Sequence, residues 1–210
     1  MLLIFHNCLI DKYESRSKSN HSLKAGVDGM VNKKIVKVLA ASTFVVASMC
    51  GGAMAENLVQ TGEWSYLADT VMGGVSEGSA KFESSGSDKT IRLKGEVSTA
   101  NNGGFIQVRS PVPSGLAKGK TGIKLTVKGN GEQYYLHIRN SSTRLPWHYY
   151  QQDFATTTTW REIKLPFESF MKTSSLMRSV MKKNTIKTIG IVAYGKDHTA
   201  DISVKSLEFY

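Results

Sequence analysis

Alternation of apolar and polar residues with a period of two, not a helical spacing, runs through most of the second half of the chain. In GIKLTVKG, from Gly122, the residues Ile123, Leu125 and Val127 point one way and Lys124, Thr126 and Lys128 the other. In QYYLHIRN, from Gln133, Tyr134, Leu136 and Ile138 oppose Tyr135, His137 and Arg139. Such alternation marks strands with one packed face and one wet face. IRLKGEV from Ile91, GFIQVRS from Gly104, WREIKLPF from Trp160, TIGIVAYG from Thr188 and DISVKSLEFY from Asp201 read the same way. All are rich in β-branched and aromatic residues and are bounded by Gly, Asn, Ser and Pro clusters. Seven or eight strands at regular spacing predict an all-β sandwich or barrel, and the half-buried layers suit two antiparallel sheets packed face to face. Strands do not alternate with helices as they would in an α/β enzyme. A helix fits only Glu168 to Lys183, where Phe170, Leu176, Met177, Val180 and Met181 allow a turn or two, and a long loop fits the same residues. Trp160 and Phe167 are expected in the core, with Pro166 closing their strand.

The first 55 residues break this pattern. From Met30, the run MVNKKIVKVLAASTFVVASMCGGAMA has the form of a secretory signal peptide: Lys33, Lys34 and Lys37, then the apolar Val38 to Met49, then Ala53-Met54-Ala55 as a small-x-small cleavage site. The apolar run falls short of the roughly 18–20 residues that cross a bilayer, so a retained membrane segment is not expected. Residues 1–29 precede that leader and are expected to be an extension from a mis-assigned start codon. The expected mature protein, residues 56–210, is one domain, exported to the periplasm or secreted. Both cysteines, Cys8 and Cys50, precede it, so disulfides, thiol nucleophiles and cysteine zinc sites are not expected in it.

Charge changes the picture little. Residues 56–210 hold 20 Lys and Arg against 14 Asp and Glu, a net charge of +6, compared with +10 for the whole chain. The positive residues are scattered, without an arginine-rich helix, which argues against a nucleic-acid partner.

Two glycine pairs interrupt the strand pattern. WSYLADTVMGGVS, from Trp64, contains Asp69, Met72, Gly73, Gly74 and Ser76, and NNGGF, from Asn101, contains Asn102, Gly103 and Gly104. Paired glycines call for a special backbone geometry. Asp69 either caps a turn beside a glycine bulge or offers a carboxylate to a sugar hydroxyl, a cation or a partner's backbone. The Asn-Gly step reads either as a tight hairpin turn or as amides that meet polar ligand edges, with Phe105 beside it in the core. Oxygen ligands around Asp69 could hold a calcium ion, but no calcium-loop spacing is present.

A third candidate is Trp147, His148, Tyr149 and Tyr150, after Leu145-Pro146. Exposed aromatics there would form a stacking platform for a sugar ring, and alternate members could instead fill the interior. His137, His148 and His198 make no ligand spacing, no Ser lies in a G-x-S-x-G elbow, and Glu162 and Glu168 read as solvated. We expect a non-catalytic protein without a cofactor.

Five segments together resemble the complex I intermediate-associated protein 30 family: WSYLADTVMGGVS, NNGGFIQVRS, KGNGEQYYLHIRN, YYQQDFATTTTWREIKLPFESF and IKTIGIVAYGKDHTADISVKSLEF, in register from Trp64 to the C-terminus. The chain departs from the family at Asn130, at Thr158-Thr159 and in the connection 171–185. The resemblance implies a galactose-binding-like jelly roll related to carbohydrate-binding modules. Mitochondrial members act in the assembly of respiratory complex I. For this chain it implies an exported domain that binds a protein partner in assembly or maintenance of an envelope complex, through the Gly-rich edge of Asp69, Met72, Gly73, Gly74, Ser76, Asn102, Gly103 and Gly104. The alternative is a carbohydrate-binding module with Trp147, Tyr149 or Tyr150 as the platform.

Overall fold

Eleven strands make up two antiparallel sheets in the computed structural model, which describes residues 55–86 and 88–210. The expected extension 1–29 and the expected leader 30–55, apart from Ala55, lie outside the described residues. In chain order the strands are β1 (Ser65–Ala68), β2 (Glu77–Ser85), β3 (Asp88–Val97), β4 (Phe105–Pro111), β5 (Gly122–Gly129), β6 (Gln133–Asn140), β7 (Tyr150–Ala155), β8 (Arg161–Pro166), β9 (Met171–Lys172), β10 (Ile186–Tyr194) and β11 (His198–Phe209). One sheet runs β1-β4-β10-β6-β7-β9 and the other β2-β3-β11-β5-β8. This is the expected all-β jelly-roll sandwich, and the one α-helix among the described residues is a single turn, α1 (Leu58–Thr61).

The alternation read from the sequence sets the core. Ile106 and Val108 of β4, Leu136 and Ile138 of β6, and Ile189 and Ile191 of β10 face Ile91 and Leu93 of β3, Ile123 and Leu125 of β5, and Ile202 and Val204 of β11; all are buried. Each such side chain contributes about 1.5–3 kcal/mol through burial. The opposite phase of β4, β6 and β10 is left on the outer face of the six-stranded sheet. There Gln107, Arg109, His137, Arg139, Thr188 and Tyr194 collect.

Four strands escaped the alternation. β2 is an edge strand that pairs only with β3, and nearly all of it is exposed, so EGSAKFESS carries no apolar face to detect. β1 and β9 are short, and β7 has only Tyr150 and Phe154 buried. Residues 168–183 do not form a helix. They contain two 3-10 turns at their ends, Phe167–Ser169 and Lys183–Thr185, the short β9, and a loop that buries Met177 and Met181 while Leu176 and Val180 stay exposed. The Tyr150 hydroxyl donates to the Arg178 carbonyl (2.9 Å), a long-range bond that holds this loop to β7, and the Lys172 ammonium donates to the Met177 carbonyl (3.1 Å) within it. Trp160 is not in the core: it is 41% exposed, in phase with the outward Glu162 and Lys164, and the Lys128 ammonium lies 5.0 Å from its ring centre. Phe167 packs against the core as expected.

The N-terminal turn is tied to β3 by the bonds between Gln60 and Lys89, and to β11 by Asn57. Asn57 Oδ1 accepts from the Val59 amide (3.0 Å), capping α1, and from the Leu207 amide (3.1 Å) in β11. Its Nδ2 donates to the carbonyl of Lys205 (3.3 Å), at the bulge between Val204 and Ser206. The Lys205 carbonyl stands at the bulge and the Leu207 amide lies beyond the last β3 partner of β11, and Asn57 meets both. Asn57→Ala should therefore cost about 2 kcal/mol, the sum of a lost cap and lost bridging bonds. Native-state hydrogen exchange checks this: the Val59 and Leu207 amides should exchange faster in the variant while the β6 amides keep their order of protection.

Candidate functional site

Asp69 follows β1, at the start of a 3-10 turn (Asp69–Met72), and is fully buried. Its Oδ1 accepts from the Ser76 amide (3.0 Å). Its Oδ2 accepts from the Ser76 hydroxyl (2.5 Å), the Gly104 amide (2.5 Å) and the Phe105 amide (3.2 Å). Burial alone would raise the carboxyl pKa, but the bonds from Gly104, Ser76 and Phe105 outweigh it and hold the group below the usual carboxylate range. The glycines serve this cradle. A Cβ on Gly74 would overlap the Asp69 carboxyl, and one on Gly103 would lie 2.5 Å from Oδ2. Gly73 and Gly104 take positive φ, +88° and +123°, where L side chains are strained.

Asn101 and Asn102 also sit at positive φ, 55° and 58°, but the turn they make is no hairpin. β3 pairs with β2 and β11, β4 with β1 and β10, so the turn carries the chain from one sheet to the other. The Gly104 amide, free of any hairpin ladder, is available to Asp69.

Beside this knot, a cleft of about 470 Å³ crosses the outer face of the six-stranded sheet. Met72, Asn102 and Gly103 line one side, Trp147 and Tyr149 the other, and Phe105, Gln107, Arg109, His137, Arg139 and Tyr194 contribute from β4, β6 and β10. The rings form a connected group: Tyr149 stacks on His137 (centroids 4.0 Å apart, planes 20°), and Tyr194 meets His137 edge-on at 5.9 Å and Tyr135 at 5.6 Å. Burial pushes the His137 pKa down to about 3, so the imidazole is neutral at physiological pH. Burial, with Tyr194 alongside, pushes the Tyr149 hydroxyl above its usual range. Among the described residues, His137 Nε2 and Gln151 Oε1 are buried without a hydrogen-bond partner. Val192 is buried yet stands outside the core cluster, because it is covered from the cleft side.

A second cleft, about 540 Å³, lies over the other sheet beside Trp160. Acids and bases are mixed in it: Arg92 makes a bidentate pair with Asp201 (2.8 and 2.7 Å), Lys128 sits over Trp160, and Glu83 is among the lining residues. Among the described residues no group of three or more His, Cys, Asp or Glu side chains is placed to hold a metal ion.

The model of the complex I intermediate-associated protein 30 (CIA30) family matches residues 55–204. The chain belongs to that family. No curated protein matches the sequence. Among solved structures, this CIA30 domain is similar to the family 11 carbohydrate-binding module of the cellulosomal cellulase Lic26A-Cel5E of Clostridium thermocellum, with a TM-score of 0.57 and 14% identity over 70% of this chain and 86% of that one. A family 11 module from the same organism, solved in complex with a β-1,3-1,4-mixed-linked tetrasaccharide, gives 0.57 and 15% over 70% and 87%. At such identities the likeness is one of fold.

The structure divides the residues singled out from the CIA30 sequence into three groups. Asp69, Gly74, Ser76 and Gly104 are the knot and its clearances, with the carboxylate turned inward. Met72, Asn102, Gly103, Trp147 and Tyr149 come together at the cleft. Tyr150 is fully buried between the sheets, and Gly73 ends the 3-10 turn. Phe105, expected in the core, is part-buried and lines the cleft, because its phase in β4 is that of Gln107 and Arg109. Tyr194, Gln107, Arg109 and Arg139 were not singled out. Their signal was present as the wet phase of three alternating strands, but the sequence does not say that those strands are neighbours.

Two titrations make folding pH-dependent, with the same sign. Asp69 has a lower pKa folded than unfolded, so its contribution is complete above the unfolded value of about 3.9 and is lost as pH falls through the folded one. His137 stays neutral when folded down to about 3 but takes a proton near 6.5 when unfolded, so stability begins to fall below that pH. Denaturant midpoints should drop progressively from pH 7 to pH 4. His137→Gln should flatten the upper part of that decline, and Asp69→Asn should lower the midpoint at pH 7, costing about 2–4 kcal/mol through lost charge-assisted bonds.

Proposed function

We propose that this CIA30 domain is a non-catalytic, exported glycan-binding module whose ligand lies in the cleft across β4, β10 and β6. The observation that carries this reading is the make-up of the cleft. Aromatic faces from Trp147, Tyr149 and Tyr194 stand beside planar hydrogen-bonding groups from Asn102, Gln107 and the two arginines. Pyranose rings are amphipathic: their C–H faces pack on aromatic rings while their hydroxyls need directed donors and acceptors. The volume lies within the roughly 300–1,000 Å³ that accommodates small ligands, enough for a short oligosaccharide. A module of the same fold was solved with a bound tetrasaccharide, which supports the reading. Of the Gly-rich edge, Met72, Asn102 and Gly103 line this cleft, whereas Gly74 is packed on Asp69 and a bulky residue there would unseat the carboxylate.

A second reading, a protein partner in assembly of an envelope complex, is favoured by one feature. Val71 and Met72 at the cleft rim are each 63% exposed, an apolar knob that suits another protein. Crosslinked capture from the envelope separates the two. Recovery of polysaccharide, lost with Trp147→Ala or Tyr149→Ala in a folded protein, supports the glycan reading. A defined protein complex lost with Met72→Glu, without glycan, replaces it. For each aromatic, removal should weaken glycan binding about tenfold, in line with the worth of a stacked ring. Export has its own check: protein recovered from the envelope fraction should begin at Glu56, and an uncleaved cytoplasmic product would overturn that part of the reading.

A further inference from the structure

Two arginines stand on the floor of the cleft with no acid to answer them. Arg109 on β4 and Arg139 on β6 flank β10, where Gly190 pairs with Arg109 and Thr188 with Arg139. Gly190 puts no side chain between them, and a Cβ there would press on the Gln107 Oε1 at 3.1 Å. No Asp or Glu is among the described residues that line the cleft. Among the described residues four cations are ion-paired, Arg92 with Asp201, Lys124 with Glu162 and Glu208, Lys196 with Glu132 and Lys205 with Asp88; what sets the cleft apart is that two guanidinium groups share it with no acid. Arg109 and Arg139 enter no ion pair among the described residues.

Arg139 is also held in place. Its Nη2 donates to the Leu145 carbonyl (3.0 Å) and its Nη1 to that of Pro146 (3.2 Å), the two residues just before Trp147. The bonds fix the guanidinium beside the exposed indole and leave N–H groups over, since the fork has five donors and these contacts use two. Burial first, and the nearby charge of Arg109 second, lower the Arg139 pKa. Such an arrangement is costly without an anion and favourable with one, because guanidinium groups recognise carboxylates through paired, charge-assisted bonds.

The geometry points to an acidic glycan as the ligand, one whose sugars carry carboxylates, with a uronate seated between Arg109 and Arg139 and its ring against Trp147 and Tyr149. The neutral Gln107, Asn102 and Thr188 would then meet hydroxyls. This inference rests on the glycan reading of the cleft.

Calorimetric titration of the full chain with tetragalacturonate and, separately, with a β-1,3-1,4-mixed-linked glucan tetrasaccharide tests it. The uronate should bind at least about tenfold more tightly, weaken as salt is raised, and lose about tenfold or more in Arg109→Gln, an exposed position whose replacement should leave the thermal midpoint unchanged. Neutral glucan bound as well as the uronate, or uronate binding unmoved by Arg109→Gln, would overturn the acidic ligand and leave the glycan reading standing. Binding of neither oligosaccharide would overturn both.

Discussion

The Asp69 carboxylate holds together the end of the sandwich on which the cleft depends. It is fully buried and accepts four hydrogen bonds, two from Ser76 and one each from Gly104 and Phe105. These donors belong to two turns that carry the chain between the sheets, so one side chain fixes the start of β2 against the start of β4. A buried charge is tolerable only when bonded this fully. The requirement explains the glycines: the donors can reach the carboxylate only if Gly74 and Gly103 bring no Cβ into its space. It also sets where Met72, Asn102 and Gly103 stand along the cleft, since all three lie on turns that Asp69 pins.

The clefts on the two outer faces of the sandwich differ in charge: the one on the five-stranded sheet contains acids, and the one on the six-stranded sheet contains arginines and no acid. On the five-stranded sheet the cleft brings Arg92 together with Asp201, and Lys124 pairs with Glu162 and Glu208; such exposed pairs add little to stability. On the six-stranded sheet the aromatics gather around His137, and the arginines stay unmatched. A face that served solubility alone would not need a neutral, buried histidine stacked on a tyrosine. Binding surfaces accept local costs in solvation and charge that the core offsets, and here the core of aliphatic residues from both sheets is extensive.

How much of this was legible beforehand follows from what alternation encodes. The phase of each strand was plain in GIKLTVKG and QYYLHIRN, and the buried residues are the ones it named. Edge strand β2 was invisible because a strand exposed on both faces has no phase. Trp160 was misplaced in the core because it flanks an alternating strand, although its phase matched the outward Glu162 and Lys164. Residues 171–185 form a connection and not a helix because long-range bonds from Tyr150 and Asn140 order them, which helical spacing along the chain does not encode.

The sequence by itself determined the class of fold, the inward and outward phase of the regular strands, and membership of a family, because these are local or cumulative properties of residue order. Only the tertiary structure decided that Asp69 faces inward, since its partners Gly104 and Phe105 lie 35 and 36 residues away. Only it decided that the outward phases of β4, β10 and β6 lie side by side. Those strands are far apart in the chain, and strand order in a sandwich is set by how the crossovers pack, which no pattern of period two contains.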